Sequence, residues 1–432
     1  MRHGSGAARH LTPSLWQQIT DDRGGEDFVV RITEVSEEHF DPRVLSLYWG
    51  FLIERQRIWL RRAMNRPAPW TNDPILQVEF ITNVYRQIDP GTEYLVDAIL
   101  SQDASDEAKV FNVMLYRLMG SKPDTHRHIG FLDPAGYNAD TLIARLAELP
   151  DDYRIFGDAY RVASYSDIGS DNKVTNVALM FGYLAGGMEE TVRRIKASRQ
   201  VVEVYKVFEV MKGFGEFLAH QIVVDLLYTN SDGQKIVPFT DDEFAKPGPG
   251  CRKGIWELMA EDVKPANLTM VLEWLRDHQA EALGDNFPYL ANADGSPHYM
   301  SLCDIQASLC EFYKYYRLHN GERSVQARRY DGPHRDVRPR MVSIANETVE
   351  AVVNDMEPAT NLRTVDISPD EVEAALTGED EPQNIGGGEE AYYPLPNPGV
   401  STNLTHIPVG EGLNIYISIN IFTGKSGDDV TT

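Results

Sequence analysis

The stretch Met211-Lys212-Gly213-Phe214-Gly215-Glu216-Phe217-Leu218-Ala219-His220-Gln221 decides how this chain is expected to fold. A helical pattern of apolar residues leads into it, a Gly-x-Gly turn interrupts that pattern, and a second apolar helical pattern follows. The two patterns are carried by Val192, Ile195, Val201, Val202, Tyr205 and Phe208 before the turn, and by Phe217, Leu218, Ile222, Val223, Leu226 and Leu227 after it. The sequence therefore predicts two helices joined by a tight glycine hairpin.

Helix, glycine hairpin and helix is the layout of a helix-hairpin-helix motif. Gly213 and Gly215 allow the backbone to turn sharply, which leaves N–H groups at the start of the second helix free to bind an anion such as a DNA phosphate. Lys212 would add positive charge at the same place. The alternative interpretation is an ordinary corner between two helices, in which a glycine ends the first one.

The composition is that of a large and mainly ordered chain. With 432 residues, of which 42% are hydrophobic, it can hold two domains or one large domain with appendages. There is no run of about 18 apolar residues, so no membrane span is predicted, and the first ten residues lack the apolar segment of a signal peptide. The three cysteines (Cys251, Cys303 and Cys310) are typical of a reducing cytoplasm and lack zinc-site spacing, and we expect neither a metal nor a cofactor.

The negative charge is concentrated at the end of the chain. Residues 341–432 hold 16 acidic side chains against Arg363 and Lys425, so −14 of the net charge of −24 lies there. The cations of the preceding part form clusters at residues 55–66, 193–199 and 323–340. Because local patches decide whether a phosphate backbone is held, this composition permits a nucleic-acid partner.

Aspartate followed by proline predicts two further helix starts, at Asp41-Pro42 and Asp73-Pro74. The first opens a helix rich in aromatic residues and arginine, whose charged side includes Arg57 and Arg61. A solvated helix face is the alternative interpretation of that side. Residues 80–89 are predicted as a helix with a buried stripe of Phe80, Val84 and Ile88. Its other side forms a buried polar network or a ligand-facing cluster, made of Asn83, Arg86 and Asp89.

The remaining pattern predicts a mainly α fold with helices at 93–100, 108–119, 137–148, 174–184, 270–279 and 299–318, and one long helix leading into the hairpin. Residues 1–40 are predicted to be irregular and residues 41–320 to form the helical domain. Residues 321–345 are predicted as a basic arm, and residues 346–432 as a disordered acidic tail. The tail contains a strictly alternating segment, 413–422, that predicts one β-strand.

A second anion site is predicted at Gly248-Pro249-Gly250. A helix that begins near Cys251 would direct its N-terminus, Arg252 and Lys253 towards one phosphate or pyrophosphate. Asp241, Asp242 and Glu243 stand just upstream, either as an acidic turn or at the position where base-excision glycosylases keep a catalytic aspartate after their hairpin. Near the end of the helical region, Glu311, Lys314 and Arg317 share one helix face, for which a surface ion-pair ladder is the alternative.

Six segments in this order resemble one family. They are Glu54–Arg62, Pro69–Leu76, Asn83-Val84-Tyr85-Arg86-x-x-Asp89, Gly213-Phe214-Gly215-x-Phe217-x-Ala219-x-Gln221-Ile222-x-x-Asp225-Leu226, Gly248-Pro249-Gly250-x-Arg252-Lys253-Gly254 and Cys310-Glu311-x-x-Lys314-Tyr315-x-Arg317. Together they cover roughly residues 44–317 and resemble the phage thymine-hypermodification family. Its members are the amino acid:DNA transferases, also called α-glutamyl/putrescinyl thymine pyrophosphorylases, and the helical domain of 5-hydroxymethyluracil DNA kinases. The family is itself similar to helix-hairpin-helix DNA glycosylases.

The resemblance implies a transferase that acts in the cytoplasm of an infected bacterial host. Its partner would be double-stranded phage DNA carrying phosphorylated 5-hydroxymethyluracil, and the amine of an amino acid or polyamine would replace the phosphate after the base leaves the stack. The DNA kinase of the same pathway is a further expected partner. A kinase activity of this chain itself is disfavoured, because the sequence contains no Gly-x4-Gly-Lys-Ser/Thr motif.

Specific roles follow from that chemistry. Lys212, Gly213, Gly215, Gly250, Arg252 and Lys253 are expected to bind phosphate, and Asp242, Asp241 and Glu311 to be catalytic. Trp70, Asn83 and Tyr85 are expected to bind the base, and Arg57, Arg61 and Arg86 the amino acid. Covalent attack by Cys251 on the pyrimidine is a further option. The alternative functions are a helix-hairpin-helix DNA glycosylase and a non-catalytic DNA-binding protein.

Overall fold

The computed structural model describes residues 16–19, 29–157, 160, 162–322 and 337–356 of the protein. The fold in these ranges is mainly helical, as predicted. The α-helices are α1 Pro42–Ala63, α2 Pro74–Val78, α3 Pro90–Leu95, α4 Asp106–Leu118, α5 Pro123–Ile129, α6 Ala139–Ala147, α7 Lys173–Ala185, α8 Met188–Ala197, α9 Val201–Glu209, α10 Gly215–Leu226, α11 Pro249–Leu258, α12 Thr269–Leu283, α13 Leu302–His319 and α14 Asn346–Asn354. None of the helices in the described ranges is both long and apolar enough to cross a membrane.

Short strands accompany the helices. They are β1 Trp16–Ile19, β2 Val29–Ile32, β3 Val263–Pro265, β4 Leu290–Ala291 and β5 Pro297–His298. β1 and β2 pair antiparallel, β2 pairs parallel with β3, and β4 and β5 form a separate antiparallel pair. The prediction that residues 1–40 are irregular is therefore wrong for β1 and β2, whose short length gave little periodic signal.

The side chains pack into two hydrophobic cores. The first core draws on residues 32–88 and 245–353, and the second on residues 94–239 between them. Helix α10 lies between the cores, because Val224 packs into the first and Val223 into the second. Tyr228, just after α10, contacts both cores. The hairpin helix thus joins the two halves of the fold, and we call the region around its C-terminal half the seam.

Helix α1 is the axis of the first core. Asp41 caps it by accepting hydrogen bonds from the backbone N–H groups of Arg43 and Val44 at 2.8 and 3.3 Å, and Pro42 occupies its first turn, as predicted. Such a cap stabilises a helix by about 1 kcal/mol. The buried ring of Phe51 packs against Tyr315 of α13, with centroids 5.0 Å apart.

Two glycines bring α11 close to α13. A Cβ atom at Gly250 would overlap the sulfur of Cys310, and one at Gly254 would overlap the carbonyl of Leu309. Only a residue without a side chain permits this approach. The predicted Gly248-Pro249-Gly250 turn therefore does more than begin α11, since its last glycine also fixes how α11 lies on α13.

The predicted helix over residues 80–89 is wrong. Residues 79–85 are non-helical, a single 3-10 turn spans Arg86–Ile88, and Phe80 is 44% exposed. Side chains take the backbone donors that a helix would use: the Thr82 N–H donates to Glu311 Oε2 at 3.2 Å, and the Asn83 N–H donates to Asp89 Oδ1 at 2.9 Å. Such bonds compete with helix formation.

Other differences from the predicted pattern concern element boundaries. The long helix expected before the hairpin is two helices, α8 and α9, separated at Ser198. Helix α14, which packs on α1, lies at the start of the expected acidic tail and was not predicted. Most of the basic arm (residues 323–336) and the rest of the tail (residues 357–432), including the expected strand at 413–422, lie outside the described residues.

Candidate active site

Polar groups collect at the seam around Arg86. Its backbone N–H donates to Asp304 Oδ1 at 2.8 Å, and its Nη2 donates to Gln221 Oε1 at 2.9 Å. Arg86 therefore links the 3-10 turn to the hairpin helix and to the first turn of α13. Among the described residues, no hydrogen-bond partner exists for the buried Arg86 Nε, the Tyr228 hydroxyl or His220 Nε2. Buried polar atoms without partners are rare in folded proteins and are candidates for binding a ligand.

Asp304 is a buried acid in this cluster. Its Oδ2 accepts hydrogen bonds from the Ser301 N–H and hydroxyl, both at 3.1 Å, in a capping box at the start of α13. Burial, and then the nearby charge of Asp241, raise the pKa of Asp304 to about 7. A carboxyl group that still binds a proton near neutral pH is typical of sites of acid–base chemistry.

The loop of residues 239–248 carries the three adjacent acids of the sequence analysis. Asp242 caps α13, because its Oδ1 accepts from the Leu302 N–H at 3.0 Å and its Oδ2 from Arg276 Nη1 at 3.3 Å. Glu243 accepts from the N–H and hydroxyl of Thr240. The Asp241 carboxylate, by contrast, makes no hydrogen bond to any described residue. Of the three acids, Asp241 is therefore the one free for chemistry.

The same loop ends at a pair of cations. Arg252 Nη2 lies 3.4 Å and Lys246 Nζ lies 3.5 Å from the two carboxylate oxygens of Glu216, in the first turn of α10. Arg252 Nε also donates to the Pro247 carbonyl at 2.8 Å, which fixes the guanidinium. The start of the hairpin helix and the start of α11 thus meet at one anionic group held by two cations. We call Lys246, Arg252 and Glu216 the cation pocket; Lys246 was not predicted, although a lysine two residues before Gly248-Pro249-Gly250 was a usable signal.

The hairpin itself has the predicted turn. Gly213 and Gly215 have φ of +95° and +60°, values that favour glycine, and a Cβ at Gly213 would overlap the sulfur of Met180. Lys212 lies outside the cation pocket and pairs with Asp167 at 2.8 Å, with both side chains exposed. Lys253, expected to bind a phosphate together with Arg252, lies over the ring of Tyr313 on α13.

Arg61, expected to bind an amino acid, has its donors engaged within the protein, which favours a structural role. All five of its N–H groups have protein acceptors: Glu54 Oε1 and the carbonyls of Trp70, Val352, Val353 and Asp355. Its side chain is only 2% exposed. Arg57 is buried and pairs with Asp355 at 3.2 Å, although its Nε has no hydrogen-bond partner among the described residues. The two arginines hold the C-terminal end of α14 on α1.

The residues expected to bind the base are also engaged within the protein. Asn83 accepts from Arg55 Nη2 at 2.7 Å and donates to the Ile88 carbonyl at 2.9 Å. Tyr85 is fully buried and donates to the His298 carbonyl. Trp70 is half-buried and its Nε1 donates to the Arg66 carbonyl at 2.7 Å. Burial and these bonds leave Asn83 and Tyr85 no exposed face on which a base could stack or pair.

Two further candidates have structural surroundings. Both oxygens of Glu311 accept hydrogen bonds, one from the Thr82 N–H and one from Lys314 Nζ at 2.7 Å. The predicted Glu311–Lys314 pair therefore exists, while a catalytic role for Glu311 would require breaking both bonds. Cys251 is fully buried, and burial raises the pKa of its thiol well above the ordinary value. Since the thiolate is the nucleophile, Cys251 is poorly suited to covalent catalysis.

The protein is therefore of the mainly helical class, with polar groups gathered between two hydrophobic cores. The comparison with known sequences identifies its family. The chain belongs to the family described as "5-hmdU DNA kinase, helical domain", which it matches over residues 42–324. The resemblance to phage thymine hypermodification found in the sequence is therefore confirmed.

A curated relative is the 5-hmdU DNA kinase of Bacillus phage SP10. It is 26% identical over 373 residues, which cover 77% of this chain and 58% of the relative. The chain therefore spans little more than half of the length of the relative. No solved structure matches this chain.

Proposed function

We propose that this protein is a transferase of phage DNA hypermodification, which replaces the phosphate of phosphorylated 5-hydroxymethyluracil in DNA with an amine. The observation that carries the proposal is the loop of residues 239–248, which has Asp241 at one end and Lys246 of the cation pocket at the other. Lys246 follows Asp241 by five positions, a span of at most about 18 Å. The acid and the anion site therefore belong to one short loop, and the proposal requires that one modified nucleotide reaches both.

The cation pocket suits the leaving phosphate. The Glu216 carboxylate lies between Lys246 and Arg252, so two positive charges already surround one anionic group. A phosphate with more charge would displace that carboxylate, and the first N–H groups of α11 would add donors. Because the charge on the phosphate oxygen grows as its bond to carbon breaks, these fixed cations would lower the barrier.

Asp241 suits the incoming amine. In the proposed step the amine nitrogen forms a bond to the 5-methylene carbon while the carbon–oxygen bond breaks and its electron pair leaves with the phosphate. The nitrogen then loses a proton, which Asp241 accepts as a general base. For the base itself, which must leave the duplex, the unpartnered Arg86 Nε and Tyr228 hydroxyl are candidate donors to the pyrimidine oxygens; both atoms are buried, so the seam would have to open to admit the base.

A second candidate function is the phosphorylation step, which the name of the SP10 relative favours. The sequence contains Gly424-Lys425-Ser426, but Ile419 stands where a phosphate-binding loop needs its first glycine. In this second function the helical domain would recognise 5-hydroxymethyluracil, and the chemistry would require a nucleotide site elsewhere.

Nucleoside mass spectrometry tests both functions in one design. The full chain is incubated with DNA containing 5-hydroxymethyluracil and ATP, and separately with DNA containing 5-phosphomethyluracil and a pool of amino acids and polyamines. We expect a nucleoside that has gained an amine and lost phosphate in the second reaction only. A phosphorylated nucleoside in the first reaction would establish the kinase instead, and free base with abasic DNA would establish the glycosylase.

Adjacent acids provide a matched pair of variants. We expect Asp241→Asn to lower the rate of amine transfer by about 10²–10⁴-fold, the usual value of a general base, with little change in stability. Asp242→Asn should keep the rate, and should cost stability by about 1 kcal/mol because Asp242 caps α13. Equal rates for the two variants would contradict the assignment of Asp241.

A further inference from the structure

A mixed aromatic and cationic face runs along α11 and α13, outside the cation pocket. Lys253 Nζ lies 5.4 Å and Arg317 Cζ 5.8 Å from the centre of the same ring, Tyr313. Trp256 follows Lys253 by one helical turn and is 42% exposed. We call Lys253, Trp256, Tyr313 and Arg317 the α11–α13 track. It exists because Gly250 and Gly254 let the two helices approach closely.

The track adjoins the cation pocket, since Trp256 of the track follows Arg252 of the pocket by four residues on α11 and lies on the same side of the helix. Within the part of the chain that the structure describes, Lys253 has no carboxylate partner. Arg317 pairs with Glu322 at 2.9 Å, but this pair is largely exposed, and exposed pairs contribute at most about 1 kcal/mol. A phosphate can therefore exchange with Glu322 at little cost.

We propose that the α11–α13 track binds an unpaired segment of a DNA strand next to the modified nucleotide, with a base stacked on Trp256 and phosphates on Lys253 and Arg317. The carboxylates of Glu257 and Glu322 belong to the same face, so charge alone gives the track little net attraction for a polyanion. An exposed indole beside cations is the usual platform for an unstacked base. A paired duplex offers no free base face, which favours a single-stranded segment over a duplex.

This inference depends on DNA being the partner and does not depend on amine transfer. The probes are a fluorescein-labelled oligo(dT) of about 16 nucleotides and a duplex hairpin of equal charge, both without modified bases. Binding to the full chain is followed by anisotropy over a range of salt concentrations. Variants are Trp256→Ala, Trp256→Phe and Lys253→Ala, with Tyr183→Ala, an exposed aromatic residue on α7, and Lys206→Ala, an exposed lysine on α9, as matched controls.

We expect Trp256→Ala to weaken oligo(dT) binding about fivefold or more, as loss of one stacked base does, and to change duplex binding less than about twofold. Trp256→Phe should restore part of the affinity, because a ring remains. Lys253→Ala should reduce the slope of log affinity against log salt by about 0.7, the value for one phosphate contact on a single strand. The two control variants should bind like the unmodified protein, and thermal melts should be alike for all five variants.

Two results would overturn the proposal. One is oligo(dT) binding that Trp256→Ala leaves unchanged, including the case in which Lys253→Ala alone weakens it, because stacking is then absent. The other is an absence of oligo(dT) binding by the unmodified protein. If oligo(dT) binds through the track while the mass spectrometry finds no transferred amine, the proposed function fails and this inference stands.

Discussion

Arg61 and Arg86 are two buried arginines with opposite surroundings. Each belongs to a motif of the family resemblance, and for each the sequence predicted contact with the carboxylate of an amino acid. In the structure all five N–H groups of Arg61 have protein acceptors. Arg86 holds Gln221 through Nη2, but its Nε has no partner among the described residues.

The difference follows from position in the fold. Arg61 lies within the first core, where α14 and the Trp70 segment close over α1 and supply acceptors for its donors. Arg86 lies at the seam, where two cores meet and the packing is shared between them. We expect the saturated Arg61 to join segments of the fold, and Arg86, whose Nε has no partner among the described residues, to keep a donor for a ligand. The comparison predicts that one residue supports stability and the other supports activity.

Arg61→Ala gives the largest expected effect. It would leave the fully buried Glu54 without its cation and would release three carbonyls at the end of α14. Removing one partner of a buried pair costs about 3–5 kcal/mol, and we expect the free energy of unfolding in urea to fall by that amount. Arg43→Ala on the same helix is the control, since its side chain is 82% exposed, and its cost should stay below about 1 kcal/mol. Equal losses of unfolding free energy for Arg61→Ala and Arg43→Ala would contradict a structural role for Arg61.

Local signals predicted much of the fold. Capping aspartates followed by proline placed the starts of α1 and α2, and glycines with positive φ produced the expected turn before α10. These features depend on neighbouring residues, so a sequence contains them. The helix expected over residues 80–89 failed for the opposite reason: Glu311, more than 200 residues away, takes a backbone donor of that segment. The pattern of apolar residues holds no information about such a partner.

The candidate site was predicted in part. Arg252 and the two anion-binding turns were recognised from spacing, but their meeting at Glu216 depends on how α10 and α11 approach each other. The choice of Asp241 among three adjacent acids needed the structure, in which Asp242 accepts from the first N–H of α13 and Glu243 accepts from Thr240 in its own turn. The prediction that Arg61 binds the carboxylate of an amino acid could not be checked from the sequence, because an arginine that binds a carboxylate ligand and one that binds backbone carbonyls are the same residue there.

A second pair of variants tests whether Arg86, at the seam, supports activity more than stability. Arg117 lies near Arg86, and each of its three side-chain nitrogens has an acceptor: Nε and Nη2 donate to Asp225 at 2.5 Å each, and Nη1 donates to Ser121 Oγ at 3.0 Å. We expect Arg86→Lys to lower amine transfer about 100-fold, equivalent to about 3 kcal/mol, while the free energy of unfolding falls by only about 1 kcal/mol for the lost bond to Gln221.

Arg117→Lys should show the reverse balance. A lysine cannot make the two-bond contact with Asp225, so this variant should lose stability by about 2 kcal/mol while amine transfer by the folded fraction changes little. Urea unfolding and single-turnover kinetics on the same preparations measure both quantities. The two variants could instead lose stability and activity in the same proportion. Hydrogen-bond satisfaction of the guanidinium would then fail to separate structural from functional arginines.

The smallest expected effect is a pH dependence that belongs to Asp304, the acid that holds the Arg86 backbone. Its pKa is raised to about 7 in the native state, against about 4 when unfolded. The native state therefore binds this proton more tightly, so the group's contribution to stability is greatest below about pH 4 and is lost as the pH rises through 7. Three pKa units set an upper limit of about 4 kcal/mol, and relaxation around the charged form will reduce it.

Other buried groups also change the pH dependence of stability. The measurement must therefore be the difference in unfolding free energy between the unmodified protein and an Asp304 variant. The pKa of Asp89 is raised to about 6 and acts in the same direction, whereas His220, with a pKa lowered to about 3, loses stability as the pH falls below 6.5. Subtracting the unfolding curves of Asp304→Asn from those of the unmodified protein between pH 5 and 8 removes both. We expect the variant to gain stability relative to the unmodified protein by about 1–2 kcal/mol as the pH rises across this range. The exposed Asp171→Asn should give a flat difference, and a flat difference for Asp304→Asn as well would mean that Asp304 is a simple helix cap that is already ionised at pH 5.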